Sequence, residues 1–131
     1  MSLQPDDEKL LERARELART RFKLDAHHVF AAIRTTSGAV FPGVHLEATV
    51  GRIAVCAEAV ALGNAAVAGD TDVESVVAVN RNGDVVSPCG MCRELILDYA
   101  PDARVIILAP SGLERVPLAS LLPNKYRRLH D

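Results

Sequence analysis

Leu10, Leu11, Ala14, Leu17 and Ala18 recur on one helical face, which predicts a helix from about Pro5 to Arg21. Asp6 and Asp7 suit its N-terminal end, where the helix dipole favours negative charge. The pattern then turns strand-like. Val29 to Thr35 and Val40 to Leu46 read as two strands, with Thr36-Ser37-Gly38 supplying hairpin turn chemistry. Cys56 to Ala68 reads as a second helix, stopped by Gly69. Val73 to Val79 is a strand rich in β-branched residues. Asn80 to Asp84 is a turn signalled by Asn82-Gly83, after which Val85 and Val86 resume a short strand. Gly90 to Tyr99 predicts a third helix, ended before Pro101. Arg104 to Leu108 is a strand flanked by Pro110 and Gly112, and Leu118 to Leu122 is a helical turn at most.

Helices alternating with strands imply a layered α/β domain, and the opening hairpin makes its sheet mixed. No repeat, linker or low-complexity tract divides the chain, so residues 1–131 are expected to form one domain. Composition changes this picture only by exclusion. Hydrophobic residues make up 49% and charged residues 24%, as in ordinary globular proteins. A net charge of −2 gives no overall field to draw the chain to nucleic acid or membrane. Aromatic residues are 4%, with no Trp, which argues against a groove built on stacked bases. Lys125, Arg127 and Arg128 form only a small basic cluster. There is no run of about 20 apolar residues and no signal-peptide core, so a cytoplasmic location is expected.

The candidate chemistry lies in a split cysteine motif. Cys56-Ala57-Glu58 comes early, and Pro88-Cys89-Gly90-Met91-Cys92 follows. These are all three cysteines of the chain, so no disulfide framework is left to build, and a thiol-reducing compartment fits. Three thiolates can hold one Zn²⁺ and leave a fourth position open, the layout of a catalytic rather than a structural site. Cys89 and Cys92 are placed on one side of a first helical turn. A cap residue is not held to helical angles, which lets Cys56 and Glu58 face one pocket despite their spacing. Glu58 is the one charged residue between Ile53 and Gly69, on a helix with apolar neighbours on both sides. A carboxylate there is costly unless paired or functional. The plainer reading is a helix-start glutamate favoured by the dipole. The cysteines alone also fit a thiol redox pair or a zinc-storage protein. A closed zinc knuckle would need a fourth ligand, for which His130 is a weak candidate.

Taken together, Cys56-Ala57-Glu58, Ser87-Pro88-Cys89-Gly90-Met91-Cys92-Arg93-Glu94 and Leu121-Leu122-Pro123 resemble the cytidine deaminase superfamily, in its cytidine and blasticidin S deaminase branch. The resemblance covers about residues 29–126. It implies a three-layer α/β/α fold with a mixed five-stranded sheet, one Zn²⁺ per chain, a homotetramer and hydrolytic loss of ammonia from a cytidine-like nucleoside. Cys56, Cys89 and Cys92 would be the metal ligands. Glu58 would carry protons to ring N3 and to the departing amine, and the Ala57 N–H would lie near the carbonyl oxygen of the base. Gly43-Val44-His45-Leu46-Glu47 resembles the family's Gly-x-Asn-x-Glu, so Glu47 would hold a sugar hydroxyl while His45 replaces an asparagine. His27 falls where a phenylalanine is usual. Two histidines at substrate-facing positions imply a polar pocket for a modified sugar or another aminopyrimidine. Tyr126 matches an aromatic residue that covers a neighbouring subunit's site, or is a surface tyrosine. Ala59 stands where cytidine deaminases often carry an arginine. Three thiolates on Zn²⁺ leave a charge of −1, which Arg93, or failing it Arg52, would offset from just outside the ligand set.

Overall fold

The structure is a computed structural model that describes residues 1–129. Among these residues three α-helices and six strands form three layers. The first helix, α1 (Pro5–Arg21), packs on one face of the sheet. Strands β1 (Val29–Thr35), β2 (Val40–Val44), β3 (Val73–Asn80), β4 (Val85–Val86), β5 (Arg104–Ala109) and β6 (Gly112–Pro117) make the middle layer. Helices α2 (Ala57–Val67) and α3 (Gly90–Tyr99) cover the other face. The order is β2-β1-β3-β5-β6, with β4 pairing to β3 off this path. Among the described residues only β3 and β5 pair in parallel.

Period-two alternation explains the layering. On β1, Phe30 and Ala32 join Leu10, Leu11, Ala14, Leu17 and Ala18 of α1, while Ile33 joins Ala61, Leu62 and Ile96 on the opposite face. On β3, Val77 and Val79 face α1, and Val76 faces the other pair of helices. Ala31, Ala57 and Ala78 form a separate small cluster where α2 begins. Three alanines there bring the helix start close to the sheet.

Asp7 corrects the expectation of a simple dipole partner. It is fully buried. It accepts from the Gln4 N–H at 2.9 Å and pairs with Arg34 of β1 at 3.3 Å and Arg115 of β6 at 3.6 Å. Arg34 also donates to the Asp6 carbonyl and the Ser75 hydroxyl, and pairs with Glu74 at 2.8 Å. The first turn of α1 is thus fixed to β1 by charge-assisted hydrogen bonds from Arg34, with Arg115 of β6 adding a longer ion pair.

The sheet departs from the expected five strands in two ways. A strand at Gly112–Pro117 was not anticipated, because Pro110 and Gly112 read as a stop. They instead bracket a tight hairpin in which Ala109 pairs with Gly112, whose φ of 121° is open to glycine. The five-strand path is completed by β6, and β4 is a sixth, two-residue addition. Strand β2 also stops at Val44, short of Leu46. Leu46 then makes an isolated antiparallel bridge to Val55.

Candidate active site

Both cysteine segments hand over to a helix. Cys56 caps α2 and Cys89 caps α3, each with extended backbone angles. Cys92 lies one turn into α3 and is buried. The Cys56 and Cys89 sulfurs are 3.5 Å apart, and all three sulfurs lie within 4.8 Å of one another. Zn–S bonds of about 2.3 Å at tetrahedral angles place neighbouring sulfurs about 3.8 Å apart. The donor set therefore fits Zn²⁺, and thiolates suit that ion.

Local electrostatics distinguish the three thiols. Burial pushes Cys92 far up, reinforced by the Glu58 carboxylate and the other two sulfurs. Burial also raises Cys56, helped by its hydrogen bond with Cys89. Cys89 is lowered. Burial is its largest single influence and opposes this, but the Cys92 and Met91 N–H groups and the neighbouring thiols together outweigh it. This is the anion-stabilising character of a helix start.

Glu58 occupies the first turn of α2 and is only 4% exposed. Burial raises its pKa, opposed by its own backbone N–H. A carboxyl group raised toward working pH can both take and give a proton. Ala57 is fully buried at the first position of α2, where a helix leaves its N–H free of intrahelical bonds.

The bridge between Leu46 and Val55 ties the segment after β2 to the one that leads into Cys56. Leu46 and Val55 exchange both backbone hydrogen bonds at 2.9 Å. His45 and Cys56 flank this single bridge on one side, and Glu47 and Ala54 on the other. His45 Nε2 lies 3.4 Å from Glu47 Oε2, and the other Glu47 oxygen accepts from the Ala48 N–H at 3.0 Å. His27 Nδ1 is 2.7 Å from the His45 carbonyl oxygen. His28, which the sequence reading passed over, donates its N–H to His45 Nδ1 at 3.1 Å and lays its ring beside His45. The adjacent pair His27-His28 at the mouth of a strand was the signal available for it.

Arg93 does not offset the sulfur charge by direct contact. It donates from Nε to the Pro88 carbonyl at 2.9 Å and from Nη1 to the Leu121 carbonyl at 3.0 Å, fixing the loop that carries Cys89. Arg52 is exposed on a 3₁₀ turn at Gly51–Ile53, with no ion-pair partner among the described residues. Tyr126 is 74% exposed. Its neighbour Lys125 clamps the C-terminal segment to α3 through Glu94 at 2.6 Å and Asp98 at 2.5 Å. His130 lies outside the described residues.

An open three-thiolate centre with a buried carboxyl group, held at two helix starts on an α/β/α frame, defines a zinc-dependent hydrolytic enzyme. Residues 4–109 match the family model for the cytidine and deoxycytidylate deaminase zinc-binding region. The chain is 44% identical over 135 residues to a blasticidin-S deaminase of Bacillus cereus, covering 97% of this chain and 96% of that one. It is 27% identical over 128 residues to a cytidine deaminase of Sporosarcina psychrophila, covering 94% and 93%. The solved cytidine deaminase of Mycobacterium leprae superposes with a TM-score of 0.75 at 28% identity, covering 89% of this chain and 97% of that one. The chain belongs to the cytidine and deoxycytidylate deaminase family. No helix among the described residues is long and apolar enough to cross a membrane.

Proposed function

We propose that the protein hydrolytically deaminates a cytosine nucleoside with a modified sugar, and that Glu58 is its proton shuttle. The observation that carries this reading is the buried Glu58 carboxyl group two residues after the cap cysteine of a three-sulfur cluster. Cys56, Cys89 and Cys92 would hold Zn²⁺. When bound, the metal supplies a Lewis acid that makes an activated water available near neutral pH. Glu58 would take one proton from the attacking water and give it to ring N3 as the water oxygen bonds to C4. It would then carry the second proton of that oxygen to the amino group as the C4–N bond breaks, so that ammonia leaves and a C4 carbonyl remains. The N–H of Ala57 orients the base through its carbonyl oxygen.

The sugar side supports the modified-substrate reading. Glu47 is engaged by His45 instead of standing beside an amide, and the similarity to a blasticidin-S deaminase extends over nearly the whole chain. The test is an ammonia-release screen of the zinc-loaded protein over cytosine, cytidine, deoxycytidine, blasticidin S and adenine or guanine compounds. The reading expects blasticidin S or another sugar-modified cytosine nucleoside to lead. Cytidine or deoxycytidine in the lead would return the enzyme to plain nucleoside deamination. A thiol redox role would instead show reversible disulfide formation and no ammonia from any compound.

We further propose a homotetramer in a reducing, cytoplasmic compartment. The outer side of α2 supports assembly. Between Ile53 and Gly69 no charged residue other than the buried Glu58 occurs, and Ile53, Val67 and nearby Met91 are well exposed. Tyr126 would then reach a neighbouring copy's site. Sedimentation analysis tests this, and a monomer at micromolar concentration would refute it.

A further inference from the structure

Cys89 is the exposed member of the three-sulfur cluster, and it is delivered differently from Cys56. Two planar peptide units aim each cap cysteine, the one before it and the one after it. At Cys56 both are held by backbone groups. The Val55 carbonyl accepts from the Leu46 N–H at 2.9 Å, and the Cys56 carbonyl accepts from the Val60 N–H at 3.1 Å. At Cys89 the unit after the cysteine is held in the same way, by the Arg93 N–H on the Cys89 carbonyl at 3.1 Å. The unit before it lies beyond β4, which ends at Val86. Pro88 locks its own φ but leaves its ψ, and so the direction of its carbonyl, to be set from outside. The Arg93 side chain sets it, donating from Nε to the Pro88 carbonyl at 2.9 Å. One residue therefore holds both peptide units that flank Cys89.

A grip of this kind is only as firm as its anchor. Arg93 Nη1 donates to the Leu121 carbonyl at 3.0 Å. Leu121 closes the 3₁₀ turn Leu118–Leu121, and a helical end leaves carbonyls that need outside partners. Leu118 is fully buried in the cluster that includes Ile96, Ala100 and Ala103, and its N–H donates to the Ala103 carbonyl at 2.9 Å. The anchor is thus part of the core. Nε and Nη1 belong to one planar fork, so the Pro88 and Leu121 carbonyls are held in fixed relation to each other. A lysine ammonium carries the same charge, but as a single point on a flexible stem.

We infer that Arg93 is the positioning residue of the metal centre, and that it acts by aiming the Cys89 sulfur and not by offsetting the charge of the thiolates. The inference rests on the reading of Cys56, Cys89 and Cys92 as zinc ligands, and on no choice of substrate.

The experiment measures Zn²⁺ affinity by chelator competition, and the sulfur-to-metal charge-transfer absorption of the Co²⁺-loaded protein. The proteins are the parent, Arg93→Ala, Arg93→Lys and Lys125→Ala. Both Arg93 variants should bind Zn²⁺ about 10–100-fold more weakly than the parent. Their charge-transfer band per bound Co²⁺ should weaken, because Cys89 is the thiolate that strays. Lys125→Ala releases the same C-terminal segment from Glu94 and Asp98 but leaves the Pro88 carbonyl held, so its affinity and spectrum should match the parent. Arg93→Lys keeps the charge and decides the outcome should Arg93→Ala fail to fold. Parental affinity and spectrum in Arg93→Lys would overturn the positioning role and return Arg93 to charge compensation. An equal loss in Lys125→Ala would overturn it in favour of a general need for a docked C-terminal segment, and a parent that binds no Zn²⁺ would overturn it as well. Ammonia from none of the cytosine compounds, with the metal affinities as expected, would defeat the deaminase reading alone.

Discussion

Gly43 is where a single methyl group should do the most damage to chemistry for the least change in composition. A Cβ at this position would lie 2.2 Å from the Ala57 carbonyl oxygen, 2.5 Å from the Ala61 nitrogen and 2.9 Å from the Ala61 Cβ. Strand β2 therefore passes directly against the first turn of α2. An ordinary carbon–oxygen approach is about 3.3 Å, so Gly43→Ala must drive the two apart by about 1 Å. These three atoms are backbone and a rigid methyl, and no flexible side chain can absorb the shift. That turn carries the Cys56 cap and Glu58. Overpacking of this kind costs about 1–3 kcal/mol of stability. A misplacement of about 1 Å costs catalysis on the order of 10²-fold. The assay pairs kcat and KM for ammonia release with thermal melting and zinc affinity by chelator competition. Gly63→Ala is the control, since a Cβ there meets nothing within 4 Å in the same helix. It should be neutral or stabilising by up to about 1 kcal/mol. A folded, zinc-replete Gly43→Ala protein with parental kcat would refute the reasoning.

Three further substitutions probe separate parts of the account. Glu58→Gln keeps shape and loses proton transfer, so kcat should fall at least ~10²–10⁴-fold while zinc content stays near one equivalent, as metal analysis and steady-state kinetics would show. Arg34→Ala leaves the buried Asp7 carboxylate without its main partner and should destabilise the fold by about 3–5 kcal/mol, read from urea unfolding. His45→Asn restores an amide beside Glu47 and should raise kcat/KM for unmodified cytidine; a fall would mean that the histidine already suits ribose.

The clustering of Cys56, Cys89 and Cys92 and the burial of Glu58 were legible in the sequence because they depend on local features. A cysteine at each of two helix starts and a carboxylate in an otherwise uncharged helix are features of consecutive residues. The bounds of α1 and α3 were legible for the same reason, through Pro5 and through Pro101 just beyond Tyr99. What was hidden depends on residues distant in the chain. Asp7 looks like a surface carboxylate until Arg34 and Arg115 arrive from β1 and β6. Strand β6, in Leu113-Glu114-Arg115-Val116, lacks clean alternation because it lies at a half-buried edge. Arg93 matched the family motif by position, but its hydrogen bonds to Pro88 and Leu121 are set by the packing of α3 against the C-terminal segment. The tautomer of His45 follows from a backbone donor on β1, which no local pattern announces.

The most direct test of the central claim is ammonia release from a sugar-modified cytosine nucleoside, blasticidin S first, as a function of zinc occupancy. Protein stripped by chelator should release none. Titrated Zn²⁺ should restore activity linearly up to one equivalent per chain, because Cys56, Cys89 and Cys92 form the one metal-binding cluster of its kind among the described residues. Ammonia release that persists in the stripped protein, or none at full zinc loading, would contradict zinc-dependent deamination at these three cysteines.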